Sequence, residues 1–506
     1  MNVRFLSRLV LVLAGSAATA WADITLAPLF RDGAVLQRDQ PLVVWGRAAA
    51  AEKVEVKFRS QTVSVITAAD GRWRVTLAPE KAAIVPAELV ATGANTVVVR
   101  DVLVGDVWLC SGQSNMAMMV RSSADADREI AAANFPLIRH FKVPSVVAER
   151  PASDVAGAWA VCSPTTVGTF SAAAYYFARD LHQKSGVPIG LVNSSWGGTQ
   201  IEAWMSEAAL RADPAGKEVY ARWEARLAEY PAKMTEHAAA LAKWEAAKAE
   251  AQAAGKRFAR AAPAKPEGPG SRWLPGGLYN AMIAPLVPYG LRGMLWYQGE
   301  TNAARHAEYA SLFTGMIKQW RAEFGENLPF YFVQLANFES GMGTKGDVWA
   351  HLREAQARAL TLPNTGMAVT IDVGEPKDIH PKNKQAVGRR LALHARKHVL
   401  GEKIETDGPL FTGAKPDGGA MRVTFSHAGG LKLEAPQGDG RVAFEIAGAD
   451  KVFVPAEARI DGRAVIVSAA SVPAPVAVRY AWRNSPDARL FNAAGLPAAP
   501  FRSDKW

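Results

Sequence analysis

The chain has 506 residues, 49% hydrophobic and 21% charged. That balance is ordinary for a folded protein, excludes a disordered or collagen-like chain, and at roughly 150 residues per domain suggests about three domains. Lys and Arg number 58 against 48 acids, a formal net charge of +10. The excess is spread thinly, with no basic block and no basic stripe interleaved with aromatics, which argues against nucleic-acid binding.

Only the N-terminus carries a long apolar run. Arg4 and Arg8 flank the start of an apolar stretch over residues 9–20, which ends in Ala20-Trp21-Ala22 before Asp23. This pattern reads as a secretory signal peptide over residues 1–22. The mature protein is expected to be exported, periplasmic or secreted, with no membrane span after cleavage. Of the two cysteines, Cys110 and Cys162, each lies in an apolar context. An exported protein can pair them, and two buried free thiols fit equally well. No Cys/His pattern suggests a metal, and no cofactor is expected.

Residues 23–104 show short alternating runs, such as 54–58 and 72–77 with Asp70-Gly71 as the turn before the second. They predict an antiparallel β domain. From 105 to 400 the pattern changes. Continuous apolar runs at 106–110, 190–193, 294–297 and 330–334 alternate with helical stretches at 172–184 and 309–324. Alternation of this kind predicts an α/β domain, three layers deep, with a mostly parallel sheet. A helical insertion interrupts it at about 206–273. There, apolar residues at 223, 227, 230, 234, 241 and 244 make one stripe, read as packing rather than a dimer contact. Pro231 is expected to break or kink that helix. The β rhythm returns over 401–506, at 421–425, 442–446, 465–467 and 476–480, and predicts a second antiparallel β domain packed on the first.

Four polar clusters follow the apolar strands. Gly112-Gln113-Ser114-Asn115-Met116 comes directly after the run 106–110. Ligands of open α/β sheets bind beyond the carboxyl ends of strands, so Ser114 is a candidate nucleophile, although a serine there is also an ordinary helix cap. Trp196-Gly197-Gly198-Thr199 follows the run 190–193. Its paired glycines permit close approach to backbone N–H groups, as an oxyanion requires; a tight turn explains them too. Trp296-Tyr297-Gln298-Gly299-Glu300-Thr301-Asn302 offers the Gln298 side-chain amide, with Glu300 either functional or a buried structural carboxylate. Asp378-Ile379-His380-Pro381 carries a histidine, whose intrinsic pKa suits it to take and return a serine proton. Together these supply an acyl-transfer set.

The four blocks resemble the SGNH hydrolases and, more narrowly, the sialate O-acetylesterase-like carbohydrate esterases. The matching stretches are VLQRDQPLVVWG, VLVGDVWLCSGQSNM, FSAAAYYFARDL, NSSWGGTQIEAW, WYQGETN, LREAQ, DIHPKNKQAVGRRLALHA and GLPAAPFRSDKW. They run from about residue 30 to the C-terminus. The resemblance implies an SGNH-type core and hydrolysis of acetyl esters on sugars, sialic acid or a hemicellulose such as xyloglucan or xylan. It makes Ser114 the nucleophile and His380 the general base and acid. The N–H groups of Ser114 and Gly197 and the side chain of Gln298 become the oxyanion donors, with Gly198 as the alternative glycine. Asp378 is the candidate triad acid, but its spacing departs from the family's Asp-x-x-His; Asp372, Glu375 or a Ser–His dyad are the alternatives. An acetylated glycan is the expected partner. A lipid esterase or thioesterase on the same core, or a non-catalytic glycan-binding protein, are the rival functions.

Overall fold

The structure is a computed structural model that describes residues 23–343, 346–435 and 443–506. The signal-peptide reading over 1–22 falls outside the described residues, as does Val442 at the start of one expected strand.

Strands of the N-terminal region alternate strictly. In Lys53–Phe58 the side chains of Val54, Val56 and Phe58 are buried and those between them exposed, the period-two pattern of a sheet with one wet face. The last strand of this region, Ala83–Thr92, pairs antiparallel with β1, Thr96–Gly112. The 17-residue β1 completes the N-terminal sheet with its first half and enters the core with its second. The boundary expected between 104 and 105 therefore lies inside one continuous strand. Asp106, fully buried in β1, receives Arg38 at 2.8 and 3.0 Å and Arg292 at 2.8 Å. The QRD stretch thus anchors the first module to the base of the core.

The core strands are β2 (Phe135–Lys142), β3 (Trp159–Cys162), β4 (Ile189–Ser195), β5 (Gly293–Tyr297), β6 (Phe330–Val333) and β7 (Thr365–Ala368). They lie in the order β3-β2-β4-β1-β5-β6-β7. Neighbours pair parallel except at the β3 edge, which runs antiparallel to β2, so the whole is a large mixed sheet. From β1 the chain leaves to β2 on one side and later reaches β5 on the other. This is the switch point at which open α/β sheets form a crevice.

The helices that matter to the site are α1 (Ser114–Ala117), α2 (Ala172–Ser185), α3 (Gly216–Ala253), α4 (His306–Phe324), α5 (Val348–Ala357) and α6 (Lys384–His398). Successive residues of β6 reach opposite helices. Phe330 and Phe332 meet Phe313 of α4 at ring-centroid distances of 6.0 and 5.1 Å. Tyr331 between them stacks on Trp108 and on His394 of α6. Trp108 in turn meets Phe177 of α2 at 4.8 Å. Helices therefore cover both faces, and the aromatic runs are buried on each side.

Two sequence expectations are corrected here. Pro231 does not break α3, which runs through it for 38 residues; the exposed helix can leave the freed carbonyl to water at the cost of one bond. The C-terminal module docks on the core, and among the described residues no hydrogen bond or ion pair joins it to residues 23–104, on which it was expected to pack. Fully buried Arg353 of α5 donates to the carbonyls of Arg483 and Asn484 at 2.8 and 2.9 Å, and Arg502 forms a bidentate pair with Glu354. That module consists of antiparallel sheets, as expected. The α3 stripe does pack within the chain: Trp244 donates to the carbonyl of Arg260 at 2.8 Å and meets Phe258 edge-on. Cys110 and Cys162 are free and buried.

Candidate active site

The chain leaves β1 through Gly112, at φ +134°. A Cβ there would stand 2.2 Å from the Tyr297 carbonyl oxygen, so only glycine lets β1 and β5 close this turn. Ser114 is the first residue of α1 and not its cap; Gln113 holds the cap position. The Ser114 hydroxyl and His380 Nε2 are hydrogen-bonded at 2.9 Å. With the hydroxyl as donor to a neutral imidazole, Nδ1 carries the ring proton. Burial lowers the His380 pKa, the Asp378 carboxylate opposes that, and Lys384 and Lys382 add to the lowering. The imidazole is accordingly neutral and basic at neutral pH.

Asp378 reaches the histidine in an unusual way. Its Oδ1 accepts the backbone N–H of His380 at 2.9 Å and stands 3.6 Å from Nδ1. Its Oδ2 pairs with Lys382 at 3.0 Å. The short Asp-x-His spacing thus folds into an Asx-type turn that keeps the carboxylate beside the ring without a short bond to it. The backbone bond and Lys382 hold the Asp378 pKa below its ordinary value. Asp372 is engaged elsewhere, in a bidentate pair with Arg390 at 2.6 and 2.7 Å. Glu375 accepts the backbone N–H of Lys382 at 3.0 Å.

Gly197 lies against Ser114. A Cβ on it would fall 3.2 Å from Ser114 Cβ and 3.8 Å from Ser114 N. Among the described residues, neither the Ser114 nor the Gly197 N–H has a protein acceptor. Two unused donors therefore flank the hydroxyl.

Gln298 is placed differently from the expectation. It is fully buried, and its Nε2 donates to the Thr199 carbonyl at 3.2 Å and to Asn302 Oδ1 at 2.7 Å. Its Oε1 accepts from Tyr309 at 2.8 Å. With both amide hydrogens bonded internally, it braces the glycine loop and has no donor left for a substrate oxygen. Gln113, adjacent to Ser114, is the glutamine with spare capacity. Its Oε1 accepts from the Gly299 and Thr301 N–H groups at 3.4 Å each, and its Nε2 bonds to nothing among the described residues.

Beneath Ser114 runs a buried polar cluster that sequence reasoning missed. Asn115 Nδ2 donates to Glu300 at 2.6 Å and to the Ile379 carbonyl at 3.0 Å. Its Oδ1 accepts from Lys384 at 2.6 Å, and Lys384 also donates to the Pro381 carbonyl at 2.8 Å. Burial pushes the Lys384 ammonium down to about 7, with Glu300 opposing, and burial raises the Glu300 carboxyl. The signal available in the sequence was Lys384 four residues after His380, which reads as a solvated residue at the start of a helix. A separate group, Glu405, Asp407 and His427, gathers ligand atoms within 4.8 Å of one another in the C-terminal module and takes no part in this arrangement.

A hydroxyl bonded to a neutral imidazole, with free N–H donors alongside, is a serine acyl-transfer geometry. Comparison with known proteins decides the family. The sequence model of the family described as "Carbohydrate esterase, sialic acid-specific acetylesterase" matches residues 104–242 and 268–397. The chain belongs to this family. It is 33% identical to the sialate O-acetylesterase of Rattus norvegicus over 442 residues, 79% of this chain and 78% of that protein. The Homo sapiens sialate O-acetylesterase is 30% identical, over 77% and 75% of the two chains. The crystal structure of a carbohydrate acetylesterase from Xanthomonas citri matches with a TM-score of 0.81 at 41% identity, covering 96% of this chain and all of that one. As a member of this carbohydrate esterase family, the protein is a carboxylic ester hydrolase.

Proposed function

We propose that the protein is an exported carbohydrate O-acetylesterase with an SGNH-type three-layer core over residues 105–400, working through an acetyl-enzyme on Ser114. The observation that carries this reading is the 2.9 Å Ser114–His380 bond beside the unused N–H groups of Ser114 and Gly197. His380 takes the hydroxyl proton as Oγ attacks the acetyl carbonyl. The tetrahedral oxyanion is held by those two N–H groups and by Gln113 Nε2, in place of Gln298. Asp378 stabilises the imidazolium through space and by fixing the His380 backbone. The sugar hydroxyl leaves with the proton from His380. Water, deprotonated by the same imidazole, then releases acetate.

The substrate class follows from the relatives. Two are named for sialate, and the Xanthomonas protein is named a carbohydrate acetylesterase. Acetylated sialic acid and acetylated hemicellulose are both candidates. Among the described residues no helix is long and apolar enough to cross a membrane. N-terminal sequencing of the mature protein should begin at Asp23; a retained Met1 would overturn the export reading.

The deciding experiment is acetate release from O-acetylated sialic acid, acetylated xylan, acetylated xyloglucan and p-nitrophenyl acetate, with Ser114→Ala alongside. Release from a glycan, abolished in the variant, is expected. Release that survives Ser114→Ala would rule out the mechanism, and turnover only of long-chain acyl esters would favour a lipid esterase.

A further inference from the structure

The long helix α3 and the arm that returns from it build an open cavity beside the nucleophile turn. Trp196, Tyr230 and residues 264–272 line about 400 Å³, within the size range of small-molecule clefts. Tyr230 comes from α3. A Cβ on Gly268 of the arm would fall 2.1 Å from its ring, so the arm packs flat on the tyrosine.

The wall is continuous with the site. Trp273 Nε1 donates to the Gly198 carbonyl at 2.7 Å. The Arg272 guanidinium carbon lies 3.4 Å from where a Gly198 Cβ would stand, and the next residue back, Gly197, touches Ser114. Arg272 pairs with Glu267 at 3.2 Å, and its Nε has no acceptor among the described residues. The family's sequence model leaves out residues 243–267. Part of this wall, from 264 to 267, therefore lies outside the segments that the family model matches.

We propose that this cavity is a subsite for the glycan chain flanking the acetylated sugar. The substrate class it selects is an acetylated oligo- or polysaccharide rather than a free monosaccharide. The proposal rests on the acetylesterase reading above. Half-buried Trp196 and Tyr230 offer apolar ring faces with polar tips, which suit the C–H faces and hydroxyl edges of a sugar ring. The Arg272–Glu267 pair supplies donors and acceptors for sugar hydroxyls, and the exposed Lys265 on the same wall adds a further donor.

The test uses the full-length enzyme and four probes: acetylated xylotetraose and cellotetraose against acetylated xylose and glucose. Wild type should show a KM for at least one tetrasaccharide about tenfold below that of its monosaccharide, a difference on the scale of one good contact. In Tyr230→Ala and in Arg272→Ala the ratio should fall to within about twofold of unity. Both KM values come from the same variant, so general damage to the fold cancels. Saccharide turnover with no chain-length preference in wild type, or a preference that survives both substitutions, overturns the subsite alone. With p-nitrophenyl acetate and O-acetylated sialic acid as controls, turnover of either control with none on the four saccharides overturns the subsite, and turnover of p-nitrophenyl acetate alone overturns the carbohydrate reading as well.

Discussion

The ammonium of Lys384 donates to Asn115 Oδ1 at 2.6 Å and so ties the first turn of the helix after His380 to the turn that carries Ser114. Asn115 spends its other hydrogens on Glu300 and on the carbonyl of Ile379, the residue before His380. Ser114 and His380, the proposed nucleophile and base, lie 266 residues apart in sequence, and this cluster ties together the segments that carry them. Lys384→Met leaves Asn115 Oδ1 and the Pro381 carbonyl without their buried donor and removes the positive charge that acts on buried Glu300. The expected cost is about 3 kcal/mol of stability, read as a shift of the urea midpoint at unchanged m-value. Turnover at a temperature where the variant stays folded should also drop by about tenfold or more, since a small misplacement of catalytic groups is enough. A variant with wild-type midpoint and turnover would contradict this role.

The pH profile carries a sign. Burial disfavours the His380 imidazolium, so its pKa lies below the ordinary 6.5. The kcat/KM should therefore rise with pH on a limb whose midpoint is below 6.5, and be flat by neutrality. The Asp378 carboxylate raises that pKa. Asp378→Asn must then move the limb further to acid, while Lys382→Ala, which removes a lowering charge, must move it up. Because Nδ1 stands 3.6 Å from the carboxylate, the plateau rate of Asp378→Asn should fall by about 10- to 100-fold. A fully bonded triad acid costs about 10⁴-fold. A limb that moved toward neutrality in Asp378→Asn would refute the assignment.

The two glutamines separate binding of the oxyanion from support of its loop. Gln113→Ala should slow turnover by about 100- to 1000-fold, the effect of one lost oxyanion donor, while the loss of the long bonds from Gly299 and Thr301 costs only about 1 kcal/mol. Gln298→Ala breaks bonds to Thr199, Asn302 and Tyr309. It should destabilise the protein by about 2–3 kcal/mol. Steady-state kinetics and chemical denaturation of both variants would show which glutamine belongs to which class. A stable, slow Gln298→Ala beside an unimpaired Gln113→Ala would reverse the assignment.

What could be read in the sequence follows from what side chains reveal about their own surroundings. Strands β1, β4, β5 and β6 are apolar runs, and both faces are buried, so they were legible. Strand β2 was not, because Arg139 and His140 interrupt its apolar run. In the fold both are buried, Arg139 donating to the Gly33 carbonyl at 3.0 Å. Strand β7, Thr365–Ala368, has no branched run; its Gly366 is there because the His394 ring lies 2.5 Å from where a Cβ would be. Ser114 was legible as a polar residue, and Gly197 as one of a glycine pair, just beyond strand ends, and His380 as a histidine just before a helix. The direction in which a buried amide points was not, so the internal bonding of Gln298 and the free Nε2 of Gln113, on which the proposed exchange of roles rests, could not be read. Lys384 and Asn115 were invisible for the same reason: a lysine's burial is set by residues distant in sequence.

Gly112 and Gly197 flank the nucleophile in space, and their replacement by alanine should fail in different ways. At Gly112 a Cβ meets backbone, 2.2 Å from the Tyr297 oxygen, in a φ of +134° that L residues rarely adopt. Strain of both kinds has no side chain to absorb it, and Gly112→Ala should cost more than about 3 kcal/mol and yield little soluble protein. At Gly197 the added methyl stands 3.2 Å from Ser114 Cβ, with no positive φ. A shift of a few tenths of an ångström accommodates it, so Gly197→Ala should fold with a near-native denaturation midpoint. That same shift moves an oxyanion donor against the hydroxyl, and kcat should fall by about 10- to 100-fold. Purifying both variants and comparing soluble yield, denaturation midpoint and acetate release decides the matter. A soluble, fully active Gly197→Ala would remove Gly197 from the oxyanion site and leave Gly198 as its replacement.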